Sequence, residues 1–176
     1  LATGNIDCIW NGLTITKERQ KALSFTKPYL RNAQVVVVKK DSGIKSLLDL
    51  SGKIIGLQAG SSAADAVDSD SGFKSSLKAI VEFKDNIMAL NDLEIGGVDG
   101  VVMDLIVANY SITTSGKNFI VLDEGLAAEE YGIAFRKNEI QHTEKVQSVL
   151  EEMAADGTAA KISSAWFGSD ISVIGK

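Results

Sequence analysis

The stretch KIIGLQAGSSAAD, residues 53–65, contains a change of hydrophobic period that decides the class of the fold. Residues 53–58 are a short apolar run typical of a buried strand, and a Gly-Ser-Ser turn then leads into a helical pattern at 62–68. The free N–H groups and the dipole at the start of such a helix form an anion site, although Ser61 or Ser62 could serve only as its cap.

Apolar runs alternate with helical stretches along the whole chain, which is the pattern of parallel sheets covered by helices. The sequence therefore predicts an α/β protein with open sheets, and its serine- and aspartate-rich stretch 65–76 predicts a surface loop. The predicted strands are 6–10, 34–38, 53–58, 79–83, 100–104, 119–122 and 131–136. The predicted helices are 17–23, 45–50, 62–68, 86–95, 105–114, 139–155 and 158–167.

The order of these elements predicts two lobes. The middle block 34–126 contains alternating strands and helices that can bury a sheet on their own, whereas 1–32 and 128–176 are two pieces of a second, partial lobe. We expect two crossovers, near 32–36 and 125–130, and two crossovers form a natural hinge.

Composition excludes several classes of function. The 176 residues carry a formal net charge of −5, and without a basic tract they do not favour nucleic acid as a partner. No run approaches the roughly 20 apolar residues that span a bilayer, and LATGNID, at 1–7, lacks the regions of a signal peptide. Cys8 is predicted to be a small core residue, while His142, the single histidine, is predicted to be solvated, so we expect neither a metal site nor a cofactor.

Two further stretches place polar residues directly after strands, where open α/β sheets bind ligands. In NGLTIT, 11–16, Gly12 admits a ligand to the backbone, Thr14 offers a hydroxyl and Arg19 offers a planar fork for a carboxylate. Alternatively, Thr16 only caps a helix and Arg19 is solvated.

In GVVMD, 100–104, Asp104 ends a buried strand, although it could be only the N-cap of the next helix. With Arg19 and the Gly-Ser-Ser turn, the chain offers a cation and an anion site for a carboxylate, and a carboxylate for an ammonium group. Together these groups complement an α-amino acid zwitterion.

Seven stretches in order carry a family resemblance over nearly the whole chain: GNIDCIWNGLTITKER, FTKPYL, DLSGKIIGLQAGSS, LEIGGVDGVVMD, EEYGIAFRK, EEMAADGTAAKI and AWFG. The chain resembles the polar amino-acid-binding proteins of ABC importers, which have the type II periplasmic-binding-protein fold. The resemblance implies that two lobes close on one free amino acid and that the ligand is delivered to membrane permease subunits. It also implies an extracytoplasmic location, a lipid anchor in the full-length form and no enzymatic activity.

The resemblance assigns roles to particular residues. It implies that Arg19 clamps the ligand α-carboxylate, assisted by N–H groups near Thr14 and by the turn in the other lobe, and that Asp104 holds the α-ammonium. The Gly12 carbonyl and the Thr14 hydroxyl are further acceptors, and Gln58 and Met103 lie where family members contact the ligand side chain. The expected ligand-binding residues are Gly12, Thr14, Arg19, Gln58, Gly60, Ser61, Ser62, Met103 and Asp104.

One departure from the family pattern concerns the start of the chain, because family members begin with a further part of lobe 1 that carries a strand and a ligand-stacking aromatic residue. We therefore expect an incomplete first lobe whose apolar surface promotes self-association, including domain swapping. Trp10 could replace the aromatic residue, but its place in an alternating strand favours packing in the lobe core.

Two alternative functions remain open at this point. A cyclohexadienyl dehydratase-like enzyme has a similar fold and would need a cleft acid or base, for which Glu18, Glu129 and Glu130 are candidates. Asp104 favours a ligand with an amino group over acids that lack nitrogen. The other alternative is a truncated, non-binding remnant that self-associates. Glutamine, cystine, arginine and histidine all remain open as ligands.

Overall fold

The structure, a computed structural model, describes all 176 residues and divides into two compact units. Unit 1 comprises Leu1–Arg31 with Glu129–Lys176, and unit 2 comprises Asn32–Ala128. The chain passes from one unit to the other within strands β2, Leu30–Lys39, and β6, Phe119–Tyr131.

Unit 2 is built on a mixed five-stranded sheet. Its other strands are β3, Ile54–Gln58, β4, Ala79–Phe83, and β5, Gly100–Asp104, and the strand order is β4-β3-β5-β2-β6. β3 is parallel to β4 and to β5, but β2 runs antiparallel to β5 and sets Gln34 opposite Asp104. The expectation of a parallel sheet is therefore correct for three strands and wrong for β2.

Helices cover both faces of this sheet because alternate residues of its central strands are apolar on each side. On one face, Val36 and Val38 pack with Leu50, Val67 and Phe73, and on the other, Val35 and Val37 pack with Leu90 and Leu93. The helices of unit 2 are α2, Ser62–Ser69, α3, Ser71–Ser76, α4, Asn86–Ile95, and α5, Leu105–Ser115, with a short 3-10 helix at Leu47–Leu50.

Unit 1 contains three helices and a two-stranded sheet. Its elements are α1, Lys17–Ala22, β1, Leu23–Phe25, β7, Ala134–Arg136, α6, Ile140–Ala155, and α7, Thr158–Phe167. β1 and β7 are antiparallel, and Ile133, Phe135, Leu150, Ala159 and Ile174 form the core. Cys8 is partly buried against this core. None of the helices in the structure has the length and apolar character needed to cross a membrane.

The structure corrects three sequence-based expectations. Residues 6–10 form no strand, because only Ile9 pairs with another backbone segment, in a single β-bridge to Ala134. Trp10 is 56% exposed and so does not pack in the core. The stretch 65–76 is helical, because Asp70 caps α3 by accepting a hydrogen bond from the Phe73 N–H at 2.9 Å, and the Phe73 side chain is buried.

Candidate functional site

The predicted ligand residues of unit 1 lie around Thr14, which is 4% exposed. The Thr14 hydroxyl donates a hydrogen bond to Oε2 of Glu129 at 3.0 Å, and the Thr14 carbonyl accepts one from Nη1 of Arg19 at 2.9 Å. Thr14 also forms a β-bridge with Tyr131. We call Gly12, Thr14, Arg19 and Glu129 the Thr14 cluster.

The two interpretations of Arg19 are compatible in the structure. Thr16 is the N-cap of α1, and its hydroxyl oxygen accepts a hydrogen bond from the Arg19 backbone N–H at 3.1 Å. The Arg19 side chain is half-buried, and its guanidinium is anchored on the Thr14 carbonyl. The helix cap is thus present, but Arg19 is not simply solvated.

Gly12 has a packing reason that the sequence did not reveal. A Cβ atom at this position would lie 3.2 Å from the ring carbon Cζ and from the hydroxyl oxygen of Tyr131. Such a distance is tighter than ordinary van der Waals contact, so Gly12 allows the close approach of Tyr131.

The predicted ligand residues of unit 2 meet at the ends of β3 and β5. Nδ2 of Asn32 donates to Oδ1 of Asp104 at 2.5 Å, and Nε2 of Gln34 donates to the same oxygen at 3.1 Å. Nε2 of Gln34 also donates to the Ser62 hydroxyl oxygen at 3.2 Å. We call Asn32, Gln34, Ser62 and Asp104 the Asp104 cluster.

Asp104 occupies the N-cap position of α5, but its side chain makes no capping hydrogen bond. The carboxylate is instead held by the amides of Asn32 and Gln34. Asp104 is therefore an N-cap by its backbone position, but its carboxylate does not cap the helix.

The Gly-Ser-Ser turn has the backbone that its sequence indicates. Gly60 has a φ of 65°, in the left-handed region that favours glycine, and Ser61 is the N-cap of α2. The Ser61 hydroxyl makes no capping bond and donates to the Gln58 carbonyl at 2.7 Å. Ser61 is thus a cap by position, but its hydroxyl does not occupy the first N–H groups of the helix.

Met103 is a correction at the level of its side chain. It is 1% exposed and belongs to the apolar cluster that contains Val35 and Val37. Successive strand residues face opposite sides of a sheet, so Met103 points away from the face that Asp104 shares with Ser62. Gln58, at the end of β3, is half-buried.

Sequence reasoning missed Asn32 and Gln34, and it considered Glu129 only as an acid or base for an enzyme. A signal was available for the first two, because NAQVVVV, at 32–38, places two amides at alternate positions of an otherwise apolar strand. Residues two apart in a strand share a face, so both amides had to lie on one side. The contact of Glu129 with Thr14 joins distant parts of the chain and leaves no local pattern.

Other candidate groups lie outside the two clusters. Glu18 is exposed and pairs with Lys21 at 2.6 Å, and Glu130 is exposed. The structure contains no group of three or more His, Cys, Asp or Glu residues that could hold a metal ion, and His142 is exposed. A groove of about 320 Å³ in unit 1, between 25–27 and α6, contains none of the predicted site residues.

Comparison with known proteins identifies the family. Residues 1–169 match the model of the bacterial extracellular solute-binding proteins, family 3. The chain belongs to this family. The family resemblance that the sequence indicated is thereby confirmed. The predicted α/β fold, similar to that of type II periplasmic-binding proteins, is also confirmed.

Relatives of this family member have names that refer to amino acids. This chain is 35% identical over 166 residues to the ABC transporter arginine-binding protein 1 of Escherichia coli K12, and the match covers 92% of this chain and 66% of that protein. It is similar to the histidine-bound ABC transporter substrate-binding protein of Streptococcus pneumoniae, with 33% identity, a TM-score of 0.93, and coverage of 98% and 72%. A glutamine-bound ancestral arginine-binding protein is 39% identical, with a TM-score of 0.84 and coverage of 95% and 73%. The chain spans about two thirds of the length of its curated relatives.

Proposed function

We propose that this family 3 protein captures a polar L-amino acid between its two units and delivers it to an ABC importer. The observation that carries the proposal is the Asp104 cluster, in which a carboxylate oriented by two amides lies beside the Ser62 hydroxyl at the start of a helix. A carboxylate acceptor and a helix N-terminus match the ammonium and carboxylate groups of an amino acid.

In this proposal Asp104 binds the α-ammonium group, and Arg19 binds the α-carboxylate together with backbone N–H groups at Thr14 and in the turn formed by Gly60, Ser61 and Ser62. The anchor of Arg19 on the Thr14 carbonyl supports its role, because a guanidinium has five N–H donors and the anchor orients the rest.

The Thr14 hydroxyl donates its hydrogen to Glu129, and the Thr14 hydroxyl oxygen and the Gly12 carbonyl are the proposed further acceptors for the ammonium group. Gln58 is the proposed contact for the ligand side chain from unit 2. The burial of the Met103 side chain limits that residue to a backbone contact.

Binding contacts from both units would favour a closed state by their differential affinity, with a hinge near 32–36 and 125–130. The relatives' names favour arginine, histidine and glutamine as the first ligands to test. In the cell we propose an extracytoplasmic location, a lipid anchor in the full-length form and permease subunits in the membrane as partners.

A thermal-shift titration tests the proposal. The chain is melted with each common L-amino acid, cystine and ornithine, since a ligand at 100 times its dissociation constant stabilises by about 2.7 kcal/mol. We expect one or a few amino acids to raise the melting temperature and Arg19→Ala to abolish that rise. The absence of any shift would support the non-binding alternative.

We infer that the protein is not an enzyme, because its relatives are named as binding proteins and the acidic candidate Glu18 is paired on the surface. A prephenate turnover assay separates the dehydratase-like alternative. Formation of an aromatic product that is lost in Glu129→Gln would overturn this inference.

A further inference from the structure

Gln34 is a fully buried amide between two of the proposed ligand residues. It is 0% exposed and lies in β2 directly opposite Asp104. Its Nε2 lies 3.1 Å from Oδ1 of Asp104 and 3.2 Å from the hydroxyl oxygen of Ser62. One side chain therefore connects the residue that ends β5 with the first residue of α2.

The chemistry of Asp104 determines which way the Gln34 amide faces. An ionised carboxylate only accepts hydrogen bonds, so the NH₂ group, and not the carbonyl oxygen, must face it. The two hydrogens of that NH₂ group can serve Asp104 and Ser62 at once.

This orientation has consequences for both partners. Because Ser62 accepts the hydrogen bond from Gln34, its own hydroxyl hydrogen must be donated in another direction. Oδ1 of Asp104 is held by Gln34 and also by Asn32, whose own Oδ1 accepts a hydrogen bond from the Ile106 N–H at 3.4 Å. Oδ1 of Asp104 is thus held in place as an acceptor, which is the polarity that an ammonium group requires.

We propose that Gln34 is the positioning residue of the amino-acid site, which orients Asp104 toward the ligand ammonium group. This inference rests on the proposed function. Gln34 acts through Asp104 and does not itself contact the ligand.

The test compares affinities of the full chain for L-arginine, L-histidine and L-glutamine by isothermal titration calorimetry. Gln34→Met keeps the volume of the side chain and removes both hydrogen bonds. Because a hydrogen bond to a charged group is lost, we expect the Gln34→Met variant to bind the amino acid roughly tenfold more weakly. In the Asp104→Ala background the same change should weaken binding by less than about threefold, because there is no carboxylate to orient.

A control separates positioning from loss of stability. Val36, also 0% exposed, lies two residues along the same face of β2, and Val36→Ala removes packing without touching Asp104. We expect Val36→Ala to lower the melting temperature and to leave affinity within about twofold. A tenfold loss on Gln34→Met that persists in the Asp104→Ala background, or no loss at all, overturns the proposal.

The design distinguishes failure of this inference from failure of the proposed function. If the unmodified chain binds none of the amino acids of the thermal-shift series, the proposed function fails. Crystal structures of the chain and of Gln34→Met then decide the positioning role: a rotated Asp104 carboxylate supports it, and an unchanged carboxylate overturns it.

Discussion

At the scale of single residues, the two charged side chains assigned to the ligand are both oriented by neutral groups. Asp104 is held by the amides of Asn32 and Gln34, and Arg19 is anchored on the carbonyl of Thr14. A neutral hydrogen-bond partner orients a charged side chain without itself adding a countercharge. This arrangement makes the charges of Arg19 and Asp104 directly testable.

Asp104→Asn should weaken amino-acid binding at least about tenfold, because it replaces a charge-assisted hydrogen bond to ammonium by a neutral one. The change keeps an Oδ1 acceptor for Asn32 and Gln34, so the fold should be little affected. Calorimetry with L-arginine, L-histidine and L-glutamine measures the loss. Asp65→Asn, at an exposed carboxylate in α2, is the matched control and should change nothing. Equal affinity of the Asp104 variant and the unmodified chain would remove Asp104 from the site.

Because of Tyr29, we expect the free energy of unfolding to fall at high pH. Burial raises the pKa of Tyr29 from 10.0 to about 12, and its hydroxyl donates to the Asn11 carbonyl at 2.8 Å. The contribution of neutral Tyr29 is therefore complete below pH 10 and is lost as the pH rises toward about 12. Denaturant unfolding at intervals from about pH 9 to 12 should show a steeper decline for the unmodified chain than for Tyr29→Phe.

The other ionising groups are common to both proteins, so the difference between the two curves isolates Tyr29. Tyr110→Phe, at a tyrosine that is 64% exposed, is the control, and its curve should parallel that of the unmodified chain. Parallel curves for Tyr29→Phe as well would show that its ionisation is not coupled to folding.

At the scale of secondary structure, the sequence predicted those helices and strands that are stabilised by residues within their own segment. The predicted bounds of α4, β4 and β5 agree with the structure, because caps and apolar periodicity lie within each segment. The predictions failed at β1, a three-residue strand, and at 6–10, where pairing depends on a distant partner. Helix α3 was missed because serine and aspartate are common in both loops and caps.

Helix α3 should depend on its Asp70 cap. Asp70→Ala removes the acceptor of the Phe73 N–H, and we expect the free energy of unfolding to fall by about 1 kcal/mol. Urea denaturation measures the change. Asp68→Ala is the matched control, because its ion pair with Lys74 is exposed and should contribute less than about 0.5 kcal/mol. An equal effect of both changes would mean that the cap does not stabilise the helix.

At the scale of the whole molecule, exposed apolar side chains favour association between copies of the chain. In unit 1, Ile162 is 48% exposed and Trp166 is 75% exposed, one turn apart on the same face of α7. Large exposed apolar side chains that lie together mark interaction surfaces. Self-association of the chain remains a prediction, and we expect it to depend on Ile162 and Trp166.

Light scattering after size-exclusion chromatography should give a mass that rises with protein concentration. Ile162→Ser combined with Trp166→Ser should lower that mass toward 18.7 kDa, because less apolar surface is available for burial between copies. Leu48→Ser is the control, since Leu48 is 86% exposed but lies in unit 2. A mass of one chain at every concentration would contradict the prediction.

The sequence by itself determined the α/β class, most helices and strands, the family and the residues Arg19, Ser62 and Asp104 as site candidates, because periodicity, turns and short motifs are local. Only the tertiary structure decided that Asn32 and Gln34 hold Asp104, that Thr14 contacts Glu129, that Met103 is buried and that Trp10 is exposed. These facts depend on strand register and on contacts between distant segments, and a one-residue change of register would turn Gln34 to the other face of the sheet.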